Sequence, residues 1–248
     1  MDQRPIGVFD SGLGGLTAVR EMRRLMPSEN IIYFGDTSRV PYGGRSPEIL
    51  LKYARQDVPF LRSFDIKAVL VACGTVSTTA LPQLQAENDL PILGVVEPAC
   101  RKAAAMTRNR RVGLIATAAS VRSGAYERTL HRLDETIHVV SRACPLLVPL
   151  VENGWISRDD REAQGIVRRY IAPLQKEGID TLILGCTHFP LLAPILSDEL
   201  GPDVVLIDAG KETAAACARS LQARDALSQA KKRGTCRYYV SDCPEDFS

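Results

Sequence analysis

The sequence predicts an α/β protein made of two pseudo-symmetric, doubly wound parallel-sheet domains with the active site in the cleft between them. Three observations predict it. Short β-branched runs alternate with longer helical patterns along the whole chain, as they do where crossover helices join parallel strands. The strand-like runs are continuously apolar rather than alternating, which suits strands covered on both faces. The chain also resembles itself. Ile6-Gly-Val-Phe-Asp-Ser-Gly is similar to Val112-Gly-Leu-Ile-Ala-Thr-Ala, Ala68-Val-Leu-Val-Ala-Cys73-Gly-Thr to Leu182-Ile-Leu-Gly-Cys186-Thr-His, and Gly94-Val-Val-Glu97-Pro-Ala to Leu206-Ile-Asp208-Ala-Gly, all in the same order.

Taken in order, the apolar runs predict strands at Ile6–Phe9, Ile31–Phe34, Ala68–Ala72, Ile92–Val96, Arg111–Ile115, Ile137–Val140, Thr181–Gly185, Val204–Ile207 and Arg237–Val240. The helical patterns between them cover Gly14–Met26, Pro47–Phe64, Val76–Glu87, Pro98–Met106, Val121–Leu133, Arg158–Glu177, Leu191–Leu200 and Lys211–Ala226. The repeat divides the chain into a first half, residues 1–95, and a second, residues 96–208, with residues 209–248 returning to the first.

Composition bounds the function. The 248 residues are 45% hydrophobic and 24% charged, ordinary for a globular protein. A net charge of +2 gives no pull toward nucleic acid or an anionic membrane. No apolar run approaches the roughly 18–20 residues of a membrane span. Met1 to Pro5 is polar and leads straight into a strand, unlike a signal peptide, so a cytoplasmic protein is expected. The lysine- and arginine-rich stretch Ser228–Thr235 reads as a solvated connection. The seven cysteines form no C-x-x-C pair, so neither a disulfide framework nor a metal site is expected. Cys100, Cys144, Cys217, Cys236 and Cys243 lack any motif and read as packing residues.

Cys73 and Cys186 differ, because each directly follows a buried strand at equivalent points of the repeat. In open parallel sheets ligands bind beyond the carboxyl ends of the strands. Two halves facing each other would aim both sulfurs into one cleft from opposite sides. Inverting a tetrahedral carbon by proton transfer needs a base on one face and an acid on the other, and a thiolate opposite a thiol supplies both. His188, two residues from Cys186, can tune its ionisation or shuttle a proton. Phe9-Asp10-Ser11-Gly12-Leu-Gly14-Gly15 lets backbone approach a ligand closely, yet lacks the lysine and spacing of a phosphate cradle. Asp10 there suits a substrate ammonium group or general-base help to Cys73; a plain tight turn is the alternative. Thr117 follows the first strand of the second half, as Ser11 follows that of the first. Glu152 is a candidate loop carboxylate and Glu97 is left open. Trp155 covers an interface or cleft edge, or is a surface aromatic.

These residues resemble the glutamate racemase family, within the wider aspartate/glutamate racemase superfamily, along essentially the whole chain. The resemblance rests on Ile6-Gly-Val-Phe-Asp10-Ser11-Gly-Leu-Gly-Gly-Leu-Thr-Ala-Val, on Tyr33-Phe-Gly-Asp36 leading to Val40-Pro41-Tyr42-Gly43, and on Gly94-Val-Val-Glu97-Pro. It rests also on Pro149-Leu-Val-Glu152-Asn-Gly154 and Leu184-Gly-Cys186-Thr187-His188-Phe-Pro-Leu-Leu. It implies reversible interconversion of L- and D-glutamate without a cofactor, feeding peptidoglycan synthesis in a bacterial cytoplasm. It implies Cys73 and Cys186 as the acid/base pair, Asp10 assisting Cys73, and Glu152 and His188 assisting Cys186. Ser11, Pro41, Tyr42, Gly43, Gly74, Thr75, Thr117 and Thr187 would line the substrate site with Asp10 and His188. Homodimers are common in the family.

One departure stands out. The family usually reads Ala-Cys-Asn-Thr at the first cysteine, whereas this chain reads Ala72-Cys73-Gly74-Thr75. A water or another side chain is expected to fill the space of the missing amide. Two other readings remain open on the residues alone: a non-catalytic amino-acid-binding protein, and a cysteine hydrolase in which one thiol is idle. A racemase for aspartate is the nearest alternative, and Pro41-Tyr42-Gly43 favours glutamate.

Overall fold

Strand pairing recapitulates the sequence repeat. The computed structural model describes residues 2–242; Cys243 lies outside them. One sheet holds β1 (Ile6–Asp10), β2 (Ile31–Gly35), β3 (Ala68–Val71) and β4 (Ile92–Gly94), and the other holds β5 (Arg111–Ala116), β6 (His138–Ala143), β7 (Thr181–Leu184) and β8 (Val205–Asp208). The last strand, β9 (Cys236–Val240), joins the first sheet. The orders are β4-β3-β1-β2-β9 and β6-β5-β7-β8. Read from β4 and from β8, the two sheets run alike: β1 corresponds to β5, β2 to β6, β3 to β7 and β4 to β8. The three sequence matches paired β1 with β5, β3 with β7 and β4 with β8. Every neighbouring pair is parallel, with Ile6 opposite Ile31 and Ala68, and Val112 opposite Val139 and Thr181.

Continuous apolar runs arise because alternate residues enter different cores. In the first sheet Ile6 and Val8 pack with Ala18 and Met22 of α1 (Leu16–Leu25) and with Ala214, Cys217 and Leu221 of α11 (Ala209–Ala223). Phe9, Val69 and Val71 face Leu50, Val58 and Leu61 of α2 (Pro47–Arg62). In the second, Val112 and Leu114 face Ala99 and Ala103 of α5 (Val96–Met106) and Leu130 of α7 (Ala125–Leu133). Ile115 and Leu184 face Val167, Ile171 and Leu174 of α9 (Arg161–Lys176).

All nine expected strands form. Three helical regions differ from the sequence reading. The helix expected over Val76–Glu87 is broken at Ala80 into α3 (Gly74–Thr79) and α4 (Leu81–Glu87). Pro82 has no N–H to give and its ring excludes the preceding turn's carbonyl, so it starts a new helix. The helix expected over Val121–Leu133 is split into α6 (Ala118–Ser123) and α7 by Gly124, whose φ of +63° ends a helix. A short helix, α8 (Leu147–Glu152), forms where none was expected, its periodicity too short to register and masked by Pro149. After β7, a 3₁₀ turn at Phe189–Leu192 precedes α10 (Ala193–Leu200).

Cys100, Cys144 and Cys217 are buried in the cores and Cys236 is half-buried. Among the described residues no helix is long and apolar enough to cross a membrane, and no cluster of His, Cys, Asp and Glu could hold a metal ion.

Candidate active site

The carboxyl ends of the two sheets face each other, and the repeat decides what meets there. β3 ends two residues before Cys73, and β7 ends two residues before Cys186. Cys73 caps α3, so its sulfur sits at a strand–helix junction, where the Val76 N–H reaches it and its thiol lies 3.7 Å from the Ser11 hydroxyl. Cys186 is close enough for its charge to raise the Cys73 thiol. A Cβ built on Gly74, the neighbour of Cys73, would lie 3.9 Å from the Cys186 Cα.

The two thiols have unlike surroundings. Burial, and then the negative charge of Asp10, push the Cys73 thiol up to about 12, so it rests protonated. Asp10, at the end of β1, is fully buried; its Oδ2 accepts the Gly15 N–H at 2.9 Å and the Gly12 N–H at 3.3 Å. Its Oδ1 has no hydrogen-bond partner. Burial raises the Asp10 carboxyl, against the pull of His188. A buried carboxylate oxygen left over in this way is available to a proton or an ammonium group.

On the other side Cys186 Sγ lies 3.8 Å from His188 Nδ1, and His188 Nε2 lies 3.1 Å from Glu152 Oε1. Burial alone would depress the His188 imidazole. The hydrogen bonds to Cys186 and Glu152 and the Asp10 charge outweigh it and raise His188 to about 10. An imidazolium therefore stands beside the Cys186 sulfur, positioned by a carboxylate at the end of α8. Glycine at 14 makes this approach possible, since a Cβ there would fall 2.3 Å from Thr187 Oγ1 and 2.6 Å from His188 Nδ1.

The halves are joined by polar contacts around the sulfurs. Thr75 and Thr117 hydroxyls meet at 2.9 Å, Thr78 donates to the Ser120 hydroxyl at 3.3 Å, and Thr17 donates to the Thr187 carbonyl at 3.0 Å. The Gly43 carbonyl accepts the Ala119 N–H at 3.0 Å, so the loop carrying Pro41 and Tyr42 reaches the start of α6. A cavity of about 670 Å³ opens at the mouth, between Gly12, Arg20 and Val40 on one side and Val151, Glu152 and Leu191 on the other.

The structure thus brings together Asp10, Ser11, Cys73, Gly74, Thr75, Thr117, Glu152, Cys186, Thr187 and His188, with Gly43 at the rim. Pro41, after a cis Val40–Pro41 bond, lies in the same loop; Tyr42 turns inward and is buried beneath it. Glu97 stands apart, exposed on α5 and paired with Arg101 and Arg132. Trp155 is exposed beside Leu146 and Tyr170, away from the cleft. A Cβ at Gly74 would lie 2.4 Å from the Gly185 carbonyl oxygen, so backbone of the opposite half stands against this position. Thr17, Thr78, Ala119, Ser120 and Gly185 were not read from sequence. Thr78 and Ser120 had one available signal, a hydroxyl three residues beyond each of the site threonines Thr75 and Thr117.

The chain matches the family described as Asp/Glu/Hydantoin racemase over residues 18–217. It is 45% identical over 247 residues to a glutamate racemase of Geobacter metallireducens, covering 100% of this chain and 91% of that one. It is similar to the crystal structure of glutamate racemase isoform RacE1 from Bacillus anthracis, with a TM-score of 0.96, 39% identity, and coverage of 100% of this chain and 92% of the other. Glutamate racemase from Francisella tularensis in complex with D-glutamate aligns with a TM-score of 0.92 and 35% identity, covering 100% and 91%.

Proposed function

The chain belongs to the Asp/Glu/hydantoin racemase family, and from that premise we propose that it interconverts L- and D-glutamate by transfer of the α-proton between Cys73 and Cys186. One observation carries the reading: two cysteines, at equivalent strand ends of two opposed sheets, are within electrostatic reach of each other and differently partnered. A hydrolase would have no use for the second thiol.

In the resting enzyme Cys73 holds its proton, and the His188 imidazolium offers charge compensation to a Cys186 thiolate. That thiolate removes the α-hydrogen as a proton from one face of the substrate. The C–H electron pair remains on the carbanion-like carbon, and Cys73 delivers its own proton to the opposite face. The product is the other enantiomer. Cys73 is now the thiolate and Cys186 the thiol, so the enzyme is poised for the reverse direction. Asp10, with its spare oxygen, assists the Cys73 side; Glu152 holds His188 on the other. Neither step needs electrons or a group from a cofactor. Ser11, Gly43, Gly74, Thr75, Thr117 and Thr187 would line the substrate, the hydroxyls meeting its carboxylates. The physiological role is supply of D-glutamate for peptidoglycan from the cytoplasm, by a homodimer.

Incubation with L- or D-glutamate in deuterated water, without added cofactor, tests the chemistry. Racemisation with α-deuteration from either enantiomer is expected, and L-aspartate serves as comparison. Replacing either cysteine alone should abolish racemisation while one-sided α-proton exchange survives. Full racemisation by either single variant would falsify the two-thiol mechanism; racemisation of aspartate in preference to glutamate would overturn the substrate. Rescue of a D-glutamate auxotroph tests the physiological role.

A further inference from the structure

The turn that carries Cys186 and His188 has a gap in its own hydrogen bonding. It sends the Phe189 N–H to the Cys186 carbonyl at 3.1 Å and the Leu191 N–H to the His188 carbonyl at 3.1 Å, both in the 3₁₀ pattern. Between them, the Thr187 carbonyl is due the N–H of residue 190, which is Pro190 and has none. The hydrogen comes instead from the other half. Thr17, buried in the first turn of α1, donates its hydroxyl to the Thr187 carbonyl at 3.0 Å. The Gly14 carbonyl, 2.9 Å from the same hydroxyl, already takes the Thr17 N–H at 3.1 Å. Giving the single hydroxyl hydrogen to Thr187 leaves both carbonyls with a donor. The peptide so held leads directly into His188. The ring's Nδ1 stands between two groups, Cys186 Sγ at 3.8 Å and Thr187 Oγ1 at 3.4 Å. The setting of the Thr187–His188 peptide decides which of them the ring serves.

We propose that Thr17 is a positioning residue for the Cys186 side of the reaction: from the opposite half it supplies the hydrogen bond that Pro190 denies the Thr187 carbonyl, and so fixes the peptide that sets the His188 ring against the Cys186 sulfur. Thr17 acts through Thr187 and His188, not on the reacting atoms. The ring then has two anchors. Glu152 holds its Nε2 at 3.1 Å from within the second half, and Thr17 holds its backbone from the first. The second anchor spans the cleft, so His188 is fully placed only while the halves are together. The Cys73 side needs no such aid. There the Cys73 carbonyl opens α3 by accepting the Ser77 N–H at 2.9 Å, within its own half. Loss of the Thr17 hydroxyl should therefore injure one thiol and spare the other. That consequence for proton transfer rests on the two-thiol glutamate reading; the consequence for the imidazole does not.

Two measurements separate these. The first needs no substrate: the His188 imidazole NMR signals are followed against pH in the parent, Thr17→Val and Thr17→Ser. Burial opposes the charged imidazole, and the Cys186 contact is the first of the interactions that outweigh it and raise His188 to about 10. Thr17→Val keeps the shape and loses the hydroxyl, so it should titrate at lower pH. Thr17→Ser should titrate with the parent. The second is α-deuteration of glutamate in deuterated water with one thiol at a time. In Cys73→Ser, which keeps Cys186, adding Thr17→Val should slow exchange about tenfold, the effect of one lost hydrogen bond. In Cys186→Ser the same change should leave the rate as it was. Thr17→Ala removes the hydroxyl without adding volume and takes the place of the valine variant should that one fold poorly. An unmoved His188 titration, equal slowing in both backgrounds, or no recovery with serine overturns the proposal. A His188 that responds as expected in a protein that never deuterates glutamate would uphold Thr17 and defeat the substrate assignment instead.

Discussion

Replacing Gly74 by alanine adds one atom to the most crowded point between the two halves. That atom would sit 2.4 Å from the Gly185 carbonyl oxygen, while ordinary contact begins at 3.4 Å, so about 1 Å must be found. The obstacle is backbone, and the Gly185 N–H is tied to the Ile115 carbonyl at 2.8 Å. Little can yield except the separation of the halves, and with it that of the sulfurs. Misplacing reacting groups by about 1 Å costs on the order of 100-fold in rate, equivalent to about 2.7 kcal/mol of activation free energy. Gly74→Ala should therefore lose about two orders of magnitude in kcat/KM, measured by polarimetry from both enantiomers. Cys73 should react faster with a thiol reagent in the absence of substrate, because the cleft stands further open. Gly74→Asn, which installs the residue usual in the resembling family, begins with the same Cβ and should lose activity too. Parental kcat/KM in the alanine variant, or a gain in the asparagine variant, would refute the argument that backbone contact sets the spacing of the thiols.

Two further outcomes follow from buried charges. Glu152→Gln should lower the His188 imidazole from about 10 toward its ordinary value of 6.5, read from imidazole NMR signals; an unchanged titration would remove Glu152 from the relay. Because the His188 shift is upward, its contribution to stability is complete below pH 6.5 and lost as pH rises through about 10, so the parent's unfolding free energy should fall over that interval more steeply than the variant's. Lys67, nearly inaccessible, pairs with Glu29 at 2.6 Å and donates to the Asp2 and Ala226 carbonyls at 2.9 and 2.8 Å. Lys67→Met should cost about 3–5 kcal/mol by stranding the glutamate, and chemical denaturation of the Glu29→Gln, Lys67→Met double variant should recover part of it; equal stability of the single and double variants would contradict this.

Much of this molecule was legible before any coordinates. Strands buried on both faces advertise themselves as β-branched runs, and nine were readable for that reason. The repeat paired β1 with β5 and β3 with β7, which was enough to set Cys73 against Cys186. Helix breaks were harder, because Pro82 and Gly124 sit inside otherwise persuasive periodicity and one backbone torsion or missing N–H decides the outcome. The short α8 escaped notice although it carries Glu152. What sequence could not supply was contact across the cleft: nothing in Gly74 or Gly185 alone says that one carbonyl occupies the other's side-chain space. The burial of Asp57 was equally hidden, since a single aspartate on an amphipathic helix reads as solvated until the fold turns it inward.

The strand that departs from the repeat has its own consequence. β9, supplied by the end of the chain, flanks β2, whose five residues Ile31 to Gly35 are all buried. The strand corresponding to β2 on the second sheet, β6, has no such neighbour among the described residues and instead borders solvent with half-exposed residues and the side chains of His138 and Arg142. One margin is sealed by chain and the other guarded by polarity. A product ending before Cys236 would bare an apolar ribbon of unsatisfied amides, an invitation to self-association even with both thiols and their partners intact. The integrity of the carboxyl-terminal segment is thus a condition of solubility, separate from any part in the reaction.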